Sequence, residues 1–214
     1  MSYSYSDNIA SIIVILGNSG AGKDTVTEVL KAEVGNCIVH KWSAPMKRML
    51  EYAYDLPTGS LEDREIRSQE VPDMPGVTYL DLMVRCFEFF PKIDPLMMIR
   101  KVFRAIQSDV KNKGKIVISN DLRNPLEAEA IANLAIYYPL HIIRVERKGC
   151  KGLKSDKFLK TNYQTLLKVA KTAHIVNNNG TLNDLKQATK MLINVRLKPL
   201  LQETKSSVFI GQLG

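Results

Sequence analysis

Short apolar runs at 12–16, 37–42, 115–119, 140–146 and 173–177 alternate with longer segments whose apolar residues recur at helical spacing. Runs this short, bounded by turn residues, read as strands. Their alternation with helices predicts an α/β chain built on a mostly parallel sheet. Two helix starts are marked in the sequence. Asn124-Pro125-Leu126-Glu127 offers a capping residue, then Pro, then Glu at the third helical position, and Thr181 to Asp184 repeats a related pattern before Leu185. The interval from about 43 to 113 is too long for one crossover helix. It predicts helices over 44–54, 61–69, 78–90 and 95–112, punctuated by Pro57, Gly59, Pro72, Pro75, Gly76, Pro91 and Pro95. This is a helical region inserted between the second and third strands. A second excursion, at about 147–171, is rich in Lys, opens with Gly149 and Gly152, and lies where a mobile lid would sit.

The first apolar run leads straight into Gly17-Asn18-Ser19-Gly20-Ala21-Gly22-Lys23-Asp24-Thr25, a GxxxxGK spacing followed by Val26, Val29 and Leu30 on one helical face. Glycines at 17, 20 and 22 allow successive backbone N–H groups to converge on an anion at the N-terminus of the following helix. Lys23 then reaches the β- and γ-phosphates of a nucleotide. Strand, loop and helix stand in the order the motif requires, against the bland alternative of a Gly-rich turn. The eighth position, usually a Ser or Thr that ligates magnesium, is Asp24. Asp24 could hold the metal through water, could cap the loop, or could leave the metal to Thr25.

Composition narrows the class. With 214 residues, 45% of them apolar and 24% charged, the chain can bury one core and a small inserted region. No apolar run approaches the roughly 20 residues of a membrane span, and Met1 to Asp7 lacks the basic start of a secretory signal. A cytoplasmic protein without membrane partners is expected. Cys37, Cys86 and Cys150 are odd in number and widely spaced, which points to free thiols rather than to a disulfide framework or zinc site. His40, His141 and His174 border apolar runs and are assigned no chemistry. The net charge of +8 favours anionic partners. Part of it lies at Arg147, Lys148, Lys151, Lys154, Lys157 and Lys160, which a solvated face also explains.

Asp121 and Arg123 stand just beyond the strand at 115–119, at the edge of a parallel sheet where ligands bind. Asp121 could hold magnesium through water or accept from a substrate hydroxyl. Arg123 could bind a phosphate bidentately, or the two could simply fix the loop. Taken in order, Gly22-Lys23-Asp24-Thr25, the Ser43-Ala44-Pro45-Met46-Lys47 segment, Asp121-Leu122-Arg123 followed by Asn124 to Glu127, and Val176 to Leu182 with its three Asn and Gly180 resemble the bacteriophage-type deoxynucleoside monophosphate kinases. These belong to the nucleoside monophosphate kinase group of P-loop proteins, and the resemblance spans about 10–185. Asp24 agrees with that family's GKD pattern.

The resemblance implies a single P-loop kinase domain over 1–214 with a three-layer α/β fold and a five-stranded core. Within it, about 43–113 would grip the monophosphate and about 147–171 would close over ATP as a lid. The implied reaction is transfer of the γ-phosphoryl group of ATP, with Mg2+, to a (deoxy)nucleoside monophosphate. Phosphoryl transfer asks for positioning and positive charge. The expected catalytic set is Lys23, Asp121, Arg123 and Arg147, with the nucleotide held by 17–25 and the metal by Asp24, Thr25 and Asp121. Lys47, Arg64, Arg67 and Arg85 are candidates for the acceptor; Tyr79 and Phe87 could stack on a base, or pack in a core. Lys154-Ser155-Asp156 echoes the family's lid segment weakly. The tail 198–214 fits a disordered end or an oligomer contact, which leaves a homodimer open. Competing readings are a P-loop kinase for another phosphorylated acceptor, such as a phosphometabolite or dephospho-coenzyme A, and a nucleic-acid-dependent ATPase. Against the latter stand the small size and the lack of a recognised nucleic-acid module.

Overall fold

The computed structural model describes residues 10–113, 115–152 and 156–202. The Met1 to Asp7 stretch, Lys154 and the tail beyond Gln202 lie outside the described residues. Two compact units emerge, one formed by residues up to His40 together with those from Arg104 onward, the other by Lys41–Phe103.

The first unit is built on a five-stranded sheet in the order β2-β3-β1-β4-β5, with every pairing parallel. The strands are β1 (Ser11–Leu16), β2 (Cys37–Val39), β3 (Ile116–Ser119), β4 (Leu140–Glu146) and β5 (Thr172–Asn177). Burial explains the order. All residues of β1 and β3 are buried, as continuous apolar runs covered on both faces must be, whereas β2 and β5 are partly exposed and take the edges. On one face, α1 (Lys23–Val34) and α8 (Leu182–Leu192) pack Val26, Val29, Leu30 and Leu185 against Ile13, Ile15, Ile143 and Val145. The residues of opposite parity, Ile12, Val14 and Leu16, are equally buried. Two further helices, α6 (Pro125–Ala135) and α7 (Leu159–Leu167), pack against each other in the same unit. The capping boxes expected at Asn124/Glu127 and Thr181/Asp184 both form, each a contribution of about 1 kcal/mol.

The second unit contains α2 (Ala44–Ala53), α3 (Arg64–Ser68), α4 (Tyr79–Ile93) and the first part of α5 (Met97–Lys113). Its own core is Met46, Leu50, Leu61, Val71, Tyr79, Leu82 and Met83. Tyr79 stands edge-on to Tyr54 at 5.7 Å and is core, while Phe87 is exposed.

Several boundaries differ from the sequence expectation. The second strand ends at Val39 rather than 42, because the chain turns at Lys41, whose carbonyl accepts from Ala44 N at 3.2 Å as α2 begins. The helix expected over 61–69 is split into a 3-10 turn (Ser60–Glu62) and α3. Asp63 is extended and caps α3 by accepting from Glu65 N at 2.8 Å. The fourth helix runs through Pro91 to Ile93. Pro91 has no N–H to offer the carbonyl one turn before it, and the helix continues past it by two residues, Lys92 and Ile93. The tail begins in order: after a π-helical turn (Ile193–Leu197), α9 (Lys198–Gln202) buries Leu201 in the α1/α8 core, and Lys198 Nζ lies 3.4 Å from Glu33. No helix among the described residues is long and apolar enough to cross a membrane.

Two of the three histidines have side-chain partners in the fold. His40 Nε2 is 2.7 Å from Asp109 Oδ2, and His141, buried in β4, places Nδ1 2.9 Å from Thr172 Oγ1. Burial, helped by the charges of Lys171 and His174, lowers the His141 pKa from 6.5 to about 4. The folded state therefore favours neutral His141. Its stabilisation is complete above pH 6.5 and is lost as pH falls from there through about 4, by about 3 kcal/mol. Urea unfolding measured between pH 7 and 4 should show this slope. In His141→Gln it should be much flatter.

Candidate functional site

The loop between β1 and α1 wraps around the Lys23 ammonium, which donates to Gly17 O at 2.8 Å and Asn18 O at 3.0 Å. Because β1 lies between β3 and β4, the loop opens at the carboxyl edge of the sheet beside the ends of both neighbours. The β4 end and the β5–α8 connection hold it closely. Asn178 N donates to Glu146 O at 2.7 Å, and its side-chain Nδ2 donates to Ala21 O at 2.8 Å. Gly22, at φ +105°, has no room for a side chain: a Cβ would lie 2.6 Å from Asn178 Nδ2 and 2.9 Å from Leu185 Cδ2. At Gly17 a Cβ would meet Val145 O at 2.5 Å. The glycines are thus required by neighbours as well as by loop conformation.

Charge converges on this loop. Burial, reinforced by the nearby Arg123 charge, lowers the Lys23 pKa from 10.5 to about 8, with Asp24 and Asp121 acting in the opposite direction. Two cations share a partly desolvated place, which is the electrostatics of an anion seat. Arg123 is held from behind by Glu127, whose Oε2 accepts from Arg123 N at 2.6 Å and Asn124 N at 3.0 Å. Burial raises the Glu127 pKa to about 7 despite those two bonds, and Asp121 adds to the rise. The Arg123 guanidinium pairs with Asp156 Oδ1, and Asp156 Oδ2 accepts from Ser19 N at 2.8 Å.

On the far side of the loop, Arg147 lies one residue past β4 and donates from Nη1 to Gly20 O at 3.4 Å. Next to it, Cys150 Sγ donates to Ser19 O at 2.9 Å and Asn18 Nδ2 donates to Cys150 O at 3.0 Å. Arg144, also near the end of β4, instead pairs with Glu146 at 2.9 Å and lies over the Tyr163 ring.

The metal candidates have suitable chemistry. Asp24 is exposed at the start of α1, Thr25 and Asp121 are half-buried, and Asn120, just past β3, ties that strand end to α1 by donating to Asp24 Oδ1 at 3.3 Å and Thr27 Oγ1 at 2.9 Å. Asn120 Oδ1 is buried without a protein partner among the described residues. Oxygen donors of this kind suit a hard cation that takes its remaining ligands from phosphate and water. Among the described residues no group of three or more His, Cys, Asp or Glu forms a complete metal cage.

The structure therefore brings 17–25, Asp121, Arg123 and Arg147 together within the first unit. The remaining candidates belong to the second. There Lys47 is buried and its ammonium is 2.7 Å from Glu62, which also accepts from Lys41 at 2.6 Å. Burial pushes the Glu62 carboxyl up, but the hydrogen bonds from Lys41 and Lys47 bring it below the ordinary value. Arg64 and Arg85 are exposed on α3 and α4, and Arg67 donates to Asp63 O at 3.2 Å. Sequence reasoning assigned no role to Asn120, Asn178, Cys150 or Asp156. Asn178 lay within a quoted motif, but nothing local announces a contact to Ala21.

No protein-family model matches the chain. No curated protein matches it either. Solved structures with a similar fold include a dephospho-CoA kinase from Campylobacter jejuni, at 14% identity and a TM-score of 0.45 over 90% of this chain and 98% of that one. A shikimate kinase from Acinetobacter baumannii in complex with shikimate has 15% identity and a TM-score of 0.43 over 88% and 96%. A thymidylate kinase from Ehrlichia chaffeensis has 16% identity and a TM-score of 0.42 over 86% and 97%. At these values the functional reading rests on the loop geometry, not on the likenesses.

Proposed function

We propose that the chain is a kinase that transfers the γ-phosphoryl group of ATP to a (deoxy)nucleoside monophosphate. The observation that carries the reading is the glycine loop at the carboxyl end of β1, closed around the Lys23 ammonium with Arg123 near enough for its charge to act on it. Backbone N–H groups and Lys23 hold the β- and γ-phosphates, and Arg123 and Arg147 place positive charge on the transferring group and its acceptor. Asp24, Thr25 and Asp121 are the oxygen donors for magnesium, which when bound neutralises charge on the phosphate oxygens. Lys47, with Arg64, Arg67 and Arg85, forms the acceptor side of the proposal, on the strength of the family resemblance. The sheet-edge position of Asp121, beside the field of Lys23, supports a role in orienting the acceptor or the metal.

An ADP-release assay with dAMP, dGMP, dCMP, dTMP, their ribo forms and dephospho-coenzyme A tests this. ADP release should depend on at least one nucleoside monophosphate. Asp121→Asn should lower turnover more than ATP affinity, and Arg123→Ala should weaken the acceptor mainly through KM, each by roughly tenfold or more. ATP hydrolysis stimulated by DNA and by none of the acceptors would replace the proposal with the nucleic-acid reading.

A further inference from the structure

The Asp156 carboxylate reaches the glycine loop. Its side chain is 7% exposed, one carboxylate oxygen accepts from the Ser19 N–H of the glycine loop at 2.8 Å, and the other pairs with Arg123. A planar anion with its two oxygens on a loop amide and on an arginine satisfies the groups that a phosphate would engage. The arrangement is also sterically fitted. Gly152, at φ +71°, lies so close that a Cβ there would be 2.9 Å from Asp156 Oδ2 and 3.1 Å from Asn18 Cγ. Cys150 and Arg147 of the same excursion hold the loop carbonyls of Ser19 and Gly20, so the carboxylate is delivered by a segment already attached to the loop.

We propose that Asp156 is a built-in occupant of the phosphate cradle, holding Ser19 N–H and Arg123 in the nucleotide-free protein and displaced from them by the phosphates of the nucleotide. The proposal rests on the reading of the loop as a nucleotide site. Its physical logic is competition. A seat that holds two cations is unfavourable when empty, and a tethered carboxylate relieves it at high effective concentration. A monoanion on one side chain yields to a polyphosphate with several charges and more acceptor oxygens, while a lone weak anion does not displace it. The apparent affinity for nucleotide is then reduced by the fraction of protein in which Asp156 is seated. Displacement also frees Arg123 for substrate at the moment the phosphates arrive.

The test measures binding of ATP and of inorganic tripolyphosphate by calorimetry in the wild-type chain, Asp156→Asn, Gly152→Ala and Lys23→Met. Asp156→Asn keeps the shape and removes the charge, and Gly152→Ala crowds the carboxylate off its seat without touching its charge. Both should tighten both ligands by about tenfold. The Ser19 amide should be protected from hydrogen exchange in the ligand-free wild type and less protected in Asp156→Asn, whose amide oxygen is a weaker acceptor than the carboxylate. If Lys23→Met weakens binding but neither Asp156→Asn nor Gly152→Ala binds more tightly, Asp156 is a structural tie and the occupant proposal is overturned. Weaker binding in Asp156→Asn overturns it as well, by making the carboxylate part of the liganded site. If ATP and tripolyphosphate bind the wild type and Lys23→Met alike, the nucleotide reading itself fails, and the occupant proposal with it.

Discussion

If the chain is the kinase proposed above, replacing Lys23 by Met should lower turnover by roughly 10²-fold or more while the protein stays folded. The methionine keeps much of the stem's volume, and the ammonium it removes is engaged with the loop carbonyls of Gly17 and Asn18 rather than with the core. Circular dichroism and denaturant unfolding should therefore match the parent while phosphoryl transfer collapses. The same residue sets a pH dependence. With its pKa lowered to about 8 by burial and Arg123, Lys23 is partly neutral above that pH in the ligand-free protein. Bound phosphates favour the charged form, so nucleotide binding takes up a proton there. ATP affinity should be flat well below pH 8 and weaken above it by up to tenfold per unit, and calorimetry in buffers of different ionisation enthalpy should detect the uptake. Lys23→Met should lose both the slope and the uptake. A variant that keeps near-normal transfer would remove the loop from the mechanism.

Gly22→Val should cost about 2–5 kcal/mol of stability and abolish measurable ATP binding. Two penalties combine. The residue sits at φ +105°, where a β-branched side chain is strained, and its Cβ would collide with Asn178 Nδ2 and Leu185 Cδ2. The collision with Asn178 pushes on the group that fixes Ala21 O, so the loop cannot relax without giving up its shape. Gly35→Ala provides the control. Gly35 also has positive φ, +73°, but nothing lies within 4 Å of its added Cβ, so that variant should lose only about 1 kcal/mol and keep nucleotide binding. Equal losses in the two variants, by urea unfolding and ATP titration, would mean that backbone strain alone matters at Gly22.

What could be read in the chain was whatever its physics keeps local. The runs expected at 12–16 and 115–119 form strands that are apolar for most of their length and buried, and Asn124/Glu127 and Thr181/Asp184 close their caps within four residues. The loop at 17–23 was legible for the same reason: its spacing is its geometry. Elements decided by weak or distant forces were not. Asp63 competes for the chain as a cap and splits a helix whose apolar spacing looked continuous, and Pro91 removes one donor near the end of α4 without ending the helix there. The arrangement behind the loop was invisible, since Asn178 meets Ala21 across 157 positions and Asp156 meets Ser19 across 137. No periodicity encodes such meetings. The thiols were expected to be incidental, yet Cys150 lies against the Ser19 carbonyl, a placement its sequence neighbours do not foretell.

The contact between Asn178 and Ala21 has a temporal side. A chain emerges from the ribosome amino-terminus first, so the glycine loop is made before the amide that braces it, which follows 157 positions behind. At ordinary rates of translation that interval is roughly 8–30 s. During it, β1 has neither β3 nor β4 at its sides for much of the time, and the loop lacks its brace until nearly the whole sheet is made. The chemistry of the cradle thus arrives with one of the last strands to be synthesised, and a nascent chain carries the motif long before it carries the site.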